Sequence, residues 1–208
     1  MFERIPPREW RDLILAWFAI SIAFSLIYAR GGIELLDFLM VFAISAITVG
    51  AGFILHELAH KFMAIRYGFW AEFRKDNLML IVAVAMAALA GVVFAAPGAT
   101  IIYGSAISKE QNGRISIVGP LTNLLLCIPF GALAALPQIA PAAAFSFPLL
   151  TMIGTVGFQV NAMIAVFNML PVSVLDGKKV LAWNPLIFFV TFVLSLVAVF
   201  IALGYTSL

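Results

Sequence analysis

The sequence predicts an all-α polytopic membrane protein: a bundle of five or six transmembrane helices with a small membrane-associated β-hairpin. Three observations predict it. Of 208 residues, 64% are hydrophobic and only 11% charged, and the mean hydropathy is +1.12, beyond what a water-soluble surface allows. Apolar stretches recur at 13–29, 36–66, 78–96, 117–136, 148–170 and 185–204, each near the roughly 20 residues a helix needs to cross hydrocarbon. Helix is expected for each, since a segment in lipid must satisfy its own backbone. The third observation is one connection of different character, PGATIIYGSAISKEQNGRISIVGP. Its β-branched runs, Thr100 to Tyr103 and Ile115 to Val118, flank Asn112-Gly113, a strong hairpin signal.

The first ten residues are of mixed charge, and no small-residue cleavage pattern follows the first apolar run. The stretch 13–29 therefore reads as a retained span rather than a signal peptide. Basic residues sort as Arg4, Arg8 and Arg11 before it, Arg30 after it, and Lys61, Arg66, Arg74 and Lys75 around the end of the second. By the positive-inside rule this favours a cytoplasmic N-terminus and a cytoplasmic end for the second span. No repeat or Pro/Ser-rich linker divides the chain, so 1–208 reads as one transmembrane domain with no appended soluble domain. The net charge of +2 and the lack of a basic block exclude a nucleic-acid partner. The lone Cys127, inside an apolar run, excludes an intramolecular disulfide and reads as a packing residue.

Chemistry is concentrated at HELAH, residues 56 to 60, after eighteen uncharged residues from Phe38 to Leu55. On a helix His56 and His60 stack on one face, close enough to share an ion, and Glu57 lies beside them to reach a metal-bound water. This is the H-E-x-x-H zinc pattern, with histidines as ligands and glutamate as general base. These are the chain's two histidines. Ionisable side chains within a membrane segment are costly and mark function by default; the plainer reading is the polar end of a span.

A catalytic zinc site wants a third protein ligand. Asp12, Glu34, Asp37, Glu72, Asp76 and Glu110 have charged or loop-like neighbours, and a solvated surface accounts for them. Asp176 stands in the apolar NMLPVSVLDGKKV, after Pro171 and before Gly177, which allows a tight turn. On spacing alone it is either a capping or turn aspartate, or a placed functional group.

The pairing of HExxH at 56–60 with N-x-x-P-x-x-x-x-D-G at 168–177 resembles the site-2 protease family of intramembrane zinc metalloproteases (peptidase family M50). The resemblance implies one Zn2+ per chain held by His56, His60 and Asp176, with Glu57 activating water. It further implies a transmembrane protein substrate cut in the lipid bilayer of the cell membrane. GPLTN, residues 119–123, is similar to the family's G-P-x-x-N element, which implies that Asn123 helps hold substrate or the developing oxyanion. Read bottom-up, Pro120 suits a helix's first turn, and Asn123 is either that functional group or interhelical glue. Gln159 and Asn161 pose the same choice and favour packing.

The chain departs from the family in its long apolar segment Asn77 to Ala96 and in lacking a PDZ-like or CBS-like domain, so gating is expected from the spans or from a separate protein. Two rivals differ in chemistry. A prenyl-protein-processing protease would take a downstream glutamate as third ligand, and none follows Glu110. A non-hydrolytic metal-binding or ion-transport protein would use the same cluster without needing Glu57 as a base.

Overall fold

A computed structural model describes residues 5–91, 93, 98–104 and 107–204. The chain runs through α1 (Pro7–Ala29), α2 (Leu35–Val49), a π-helical turn (Gly50–Ile54), α3 (Leu55–Arg66), β1 (Trp70–Lys75) and α4 (Asn77–Ala90). It continues through β2 (Gly98–Tyr103), α5 (Lys109–Ala134), α6 (Leu136–Ile139), α7 (Pro141–Ser146), α8 (Pro148–Asn168), α9 (Asp176–Trp183) and α10 (Pro185–Gly204). Among the described residues five helices have the length and apolar composition to cross a membrane, the second being the continuous Leu35–Arg66. Leu36, Leu89, Leu125, Ile128, Leu186 and Phe200 point outward, as expected where the solvent is acyl chain rather than water.

Among the described residues the apolar segment after β1 forms a helix shorter than a span. α4 has 14 residues, about 21 Å of helix, and lies along α1, where Ala16 and Ala23 on one helix and Ala83 and Ala87 on the other are buried. Such small residues let helices approach closely. β2 pairs antiparallel with β1, from Trp70↔Tyr103 to Lys75↔Gly98, so β2 starts beside the beginning of α4, while the far end of α4 meets Arg30 past the end of α1 through Leu89 O.

The expected hairpin is corrected in its second half. Thr100 to Tyr103 is a strand, but its partner is Trp70–Lys75, and Ile115 to Val118 lies inside α5. The reason is a capping box: Ser108 accepts from the Gln111 amide, and the Gln111 side chain accepts from Ser108 N. This closes a helix start four residues before the Asn112-Gly113 pair can turn the chain. Pro120, expected in a first turn, consequently lies inside α5 together with Pro129, a position tolerated where neighbouring helices cover the freed carbonyl.

Asp12 also departs from expectation. It is 5% exposed and faces Arg74, with Oδ2 3.7 Å from Nη1. Three residues earlier, fully buried Glu9 receives Lys61 Nζ from α3 and the Phe73 amide of β1, the latter at 3.0 Å. One carboxylate thus ties α1, α3 and the sheet together. Around it Leu13, Ile20, Val49, Phe53, Phe73 and Val160 form an apolar core.

Breaking a buried ion pair from one side leaves a bare charge and costs about 3–5 kcal/mol. Lys61→Met is expected to lower the thermal unfolding midpoint in detergent micelles sharply, whereas Glu9→Met/Lys61→Met recovers most of the loss.

Candidate metal centre

The helix Leu35–Arg66 carries its π-helical turn immediately before His56. Such turns insert a residue and swing the following side chains round the axis. The His56 and His60 rings then stand edge to face, centroids 4.6 Å apart, with their Nε2 atoms at 3.0 Å.

Each ring is held from behind by α5, which runs antiparallel to α3. His56 Nδ1 lies 2.6 Å from Asn123 Oδ1, and His60 Nδ1 lies 2.7 Å from the Ile115 carbonyl. Both partners are acceptors, so each Nδ1 carries the proton and donates it, and each Nε2 faces the shared point. Asn123 is fixed in turn: its Nδ2 donates to Gly52 O at 3.0 Å and to Asn161 Oδ1 at 2.9 Å. Asn161 Nδ2 donates to Gly157 O at 2.8 Å. Asn161 is therefore packing glue with a purpose, while Gln159 joins helices by accepting from Tyr28 Oη at 3.0 Å.

The third side arrives from the other half of the chain. Past α8 the backbone turns through Pro171 and a left-handed Ser173, φ 51°, and α9 begins at Asp176. Asp176 makes no side-chain capping bond; its Oδ2 lies 3.0 Å from His60 Nε2 and 3.4 Å from His56 Nε2. Gly177 is helical rather than a turn residue, and its use is close approach, since a Cβ there would collide with the Met169 carbonyl.

Burial alone would raise the Asp176 carboxyl, and a positive charge on the imidazoles facing it would pull it below the usual carboxylate range. The triangle brings the two Nε2 atoms and Asp176 Oδ2 to one point. Its sides of 3.0, 3.0 and 3.4 Å compare with about 3.4 Å between ligand atoms set tetrahedrally at zinc's usual 2.0–2.2 Å. Two imidazole nitrogens and a carboxylate oxygen are a donor set zinc accepts. A cradle accompanies them: a Cβ on Gly119 would run into both rings, so glycine there is what lets α5 reach the pair. These residues fit a zinc ion.

Glu57 lies beside the triangle in a cleft of about 60 Å3, with Thr100 and Ile102 of β2 among its walls. Thr100 Oγ1 donates to Glu57 Oε2 at 2.8 Å. All five residues singled out in the sequence, His56, Glu57, His60, Asn123 and Asp176, converge here. Sequence reasoning missed Thr100, the Ile115 carbonyl and Gly119. A threonine in a β-branched run and a main-chain oxygen carry no local signal, whereas the glycine was visible within GPLTN without its reason.

No family model matches the chain, and no solved structure matches it. Curated relatives do. A protein of Methanocaldococcus jannaschii named "Putative zinc metalloprotease MJ0611" is 42% identical over 184 residues, 88% of either chain. The chain belongs to the site-2 protease family. Other relatives of this site-2 protease are longer. "Putative zinc metalloprotease Rip3" of Mycobacterium tuberculosis is 29% identical over 82% of this chain and 38% of its own length. "Zinc metalloprotease MJ0392" of M. jannaschii is 27% identical over 72% of this chain and 37% of its own.

Partners behind a metal-binding histidine govern affinity by about 10- to 100-fold. Asn123→Ala is expected to weaken zinc binding by that factor in a chelator competition, and Gly119→Ala to lose stoichiometric zinc by elemental analysis.

Proposed function

We propose that this zinc metalloprotease is an endopeptidase that hydrolyses a peptide bond within or near a transmembrane segment of a membrane-anchored protein, working from within the cell membrane. The observation that carries the reading is the buried triangle of His56 Nε2, His60 Nε2 and Asp176 Oδ2, beside a carboxylate in a cleft walled by a strand. In this reading one zinc per chain is held by those three atoms. When bound it supplies a Lewis acid for the scissile carbonyl and acidifies a water molecule.

Every other step falls to the chain's own side chains. Glu57 takes a proton from the attacking water and delivers it to the leaving amine. Thr100 fixes Oε2 of that carboxylate and leaves Oε1 to face the water. Asn123 serves the reaction as a positioning residue for His56: both of its amide hydrogens are committed to Gly52 and Asn161, and donation to an oxyanion requires breaking one of those bonds.

A peptide bond in a membrane helix is shielded by the helix's own hydrogen bonds, so the substrate must unwind locally. β2 supports a way to compensate. Among the described residues its one strand partner is β1, and it runs along the cleft, so an unwound segment can add to its other edge and regain backbone bonds.

Purified protein is expected to carry stoichiometric zinc that His56→Ala loses. Glu57→Gln keeps the zinc and cuts a membrane-spanning model substrate about 10²- to 10⁴-fold more slowly. Full function in Glu57→Gln would favour metal binding without hydrolysis. Thr100→Val is expected to lower kcat about tenfold with KM and zinc content unchanged, and Thr100→Ser to restore it. A substrate N-methylated at alternate residues beside the scissile bond is expected to resist cleavage if strand addition operates.

A further inference from the structure

β2 has two faces with different neighbours. Thr100 and Ile102 line the catalytic cleft, while Ile101 and Tyr103, turned the other way by the strand's alternation, line a second cavity of about 520 Å3. Arg8 and Arg11 of α1 and Arg74 and Lys75 of β1 surround that space, with Asp12 as the single carboxylate among its lining residues.

The charges are not cancelled locally. Asp12 stands 3.9 Å from Arg11 and 3.7 Å from Arg74, and Arg74 also pairs with Glu72. Among the described residues Arg8 and Lys75 have no carboxylate within ion-pair distance, and Arg74 Nη1, though buried, makes no hydrogen bond. Arg8 and Arg11 occupy the opening turns of α1, where cations work against the helix dipole, so helix stability does not account for them. Asn77, the first residue of α4, also lines the cavity. With four cationic side chains to one carboxylate, the lining favours an oxyanion. The cavity lies at the N-terminal ends of α1 and α4, and basic pockets at the ends of membrane spans are the kind that recognise anionic lipids.

We propose that this cavity is a binding site for a phosphate-bearing anion, an anionic lipid headgroup or free phosphate, which bridges α1 to β1 and braces the sheet from the side opposite the cleft. The guanidinium groups of Arg8, Arg11 and Arg74 supply forked donors suited to phosphate oxygens, and Lys75 supplies a point charge.

Native mass spectrometry of the full chain in detergent tests the site, with dioleoylphosphatidylglycerol, dioleoylphosphatidylcholine and inorganic phosphate as separate probes. Wild type is expected to bind phosphatidylglycerol, phosphate or both, and to prefer either over phosphatidylcholine. Phosphatidylglycerol alone identifies a headgroup site, and phosphate alone a free-anion site. Arg8→Gln/Arg11→Gln is expected to bind the preferred probe about thirtyfold more weakly, Lys75→Gln about fivefold, and Arg8→Lys/Arg11→Lys to recover most of the loss. Unchanged thermal unfolding of Lys75→Gln keeps the comparison free of folding effects. The proposal is overturned if the glutamine variants bind both anions as tightly as wild type, or if wild type binds phosphatidylcholine as well as phosphatidylglycerol and ignores phosphate.

Discussion

Two imidazoles buried on one helix, with their outer nitrogens 3.0 Å apart, impose the constraint on which the architecture turns. Each needs an acceptor behind it, or its inner N–H is desolvated without compensation. α5 provides both, Asn123 Oδ1 and the Ile115 carbonyl, and does so only because Gly119 sits where any side chain would strike the rings. The close packing of α3, α5 and α8 follows from that approach. Asn123 reaches the π-helical turn and Asn161 reaches α8, so a polar thread runs through an apolar bundle with its donors and acceptors matched.

The sheet solves a different problem. A helical bundle offers no free backbone, because every helix consumes its own N–H and C=O groups. Two short strands, β1 and β2, bring open backbone to the cleft beside Glu57. Thr100 ties the strand to the site as well, since its hydroxyl holds the Glu57 carboxylate. α4 climbs along α1 away from the sheet, and β2 pairs with β1 beside the start of that helix.

Much of this was legible in the residues. The spans follow from apolar length alone, and the histidine pair with its glutamate follows from helical spacing. Asp176 was ambiguous by spacing and was singled out by family likeness; its carboxylate lies against both imidazoles and makes no cap. What escaped is non-local. Asn112-Gly113 looks like a hairpin turn, but Ser108 and Gln111 close a helix across it, and a capping box outweighs a dipeptide preference when the following residues are buried in a bundle. Asp12 looked solvated because its sequence neighbours are charged; α1 turns it inward toward Arg74.

The Glu9–Lys61 pair carries one more consequence. Its members are 52 residues apart, and the acidic one is synthesised first, on the opening helix. When the ammonium that directly follows His60 emerges, it has an apolar destination that becomes tolerable only once the earlier helix has docked there. The segment that carries His56 and His60 is thereby coupled to the first helix, because the buried Lys61 charge is compensated only while α1 is docked against it.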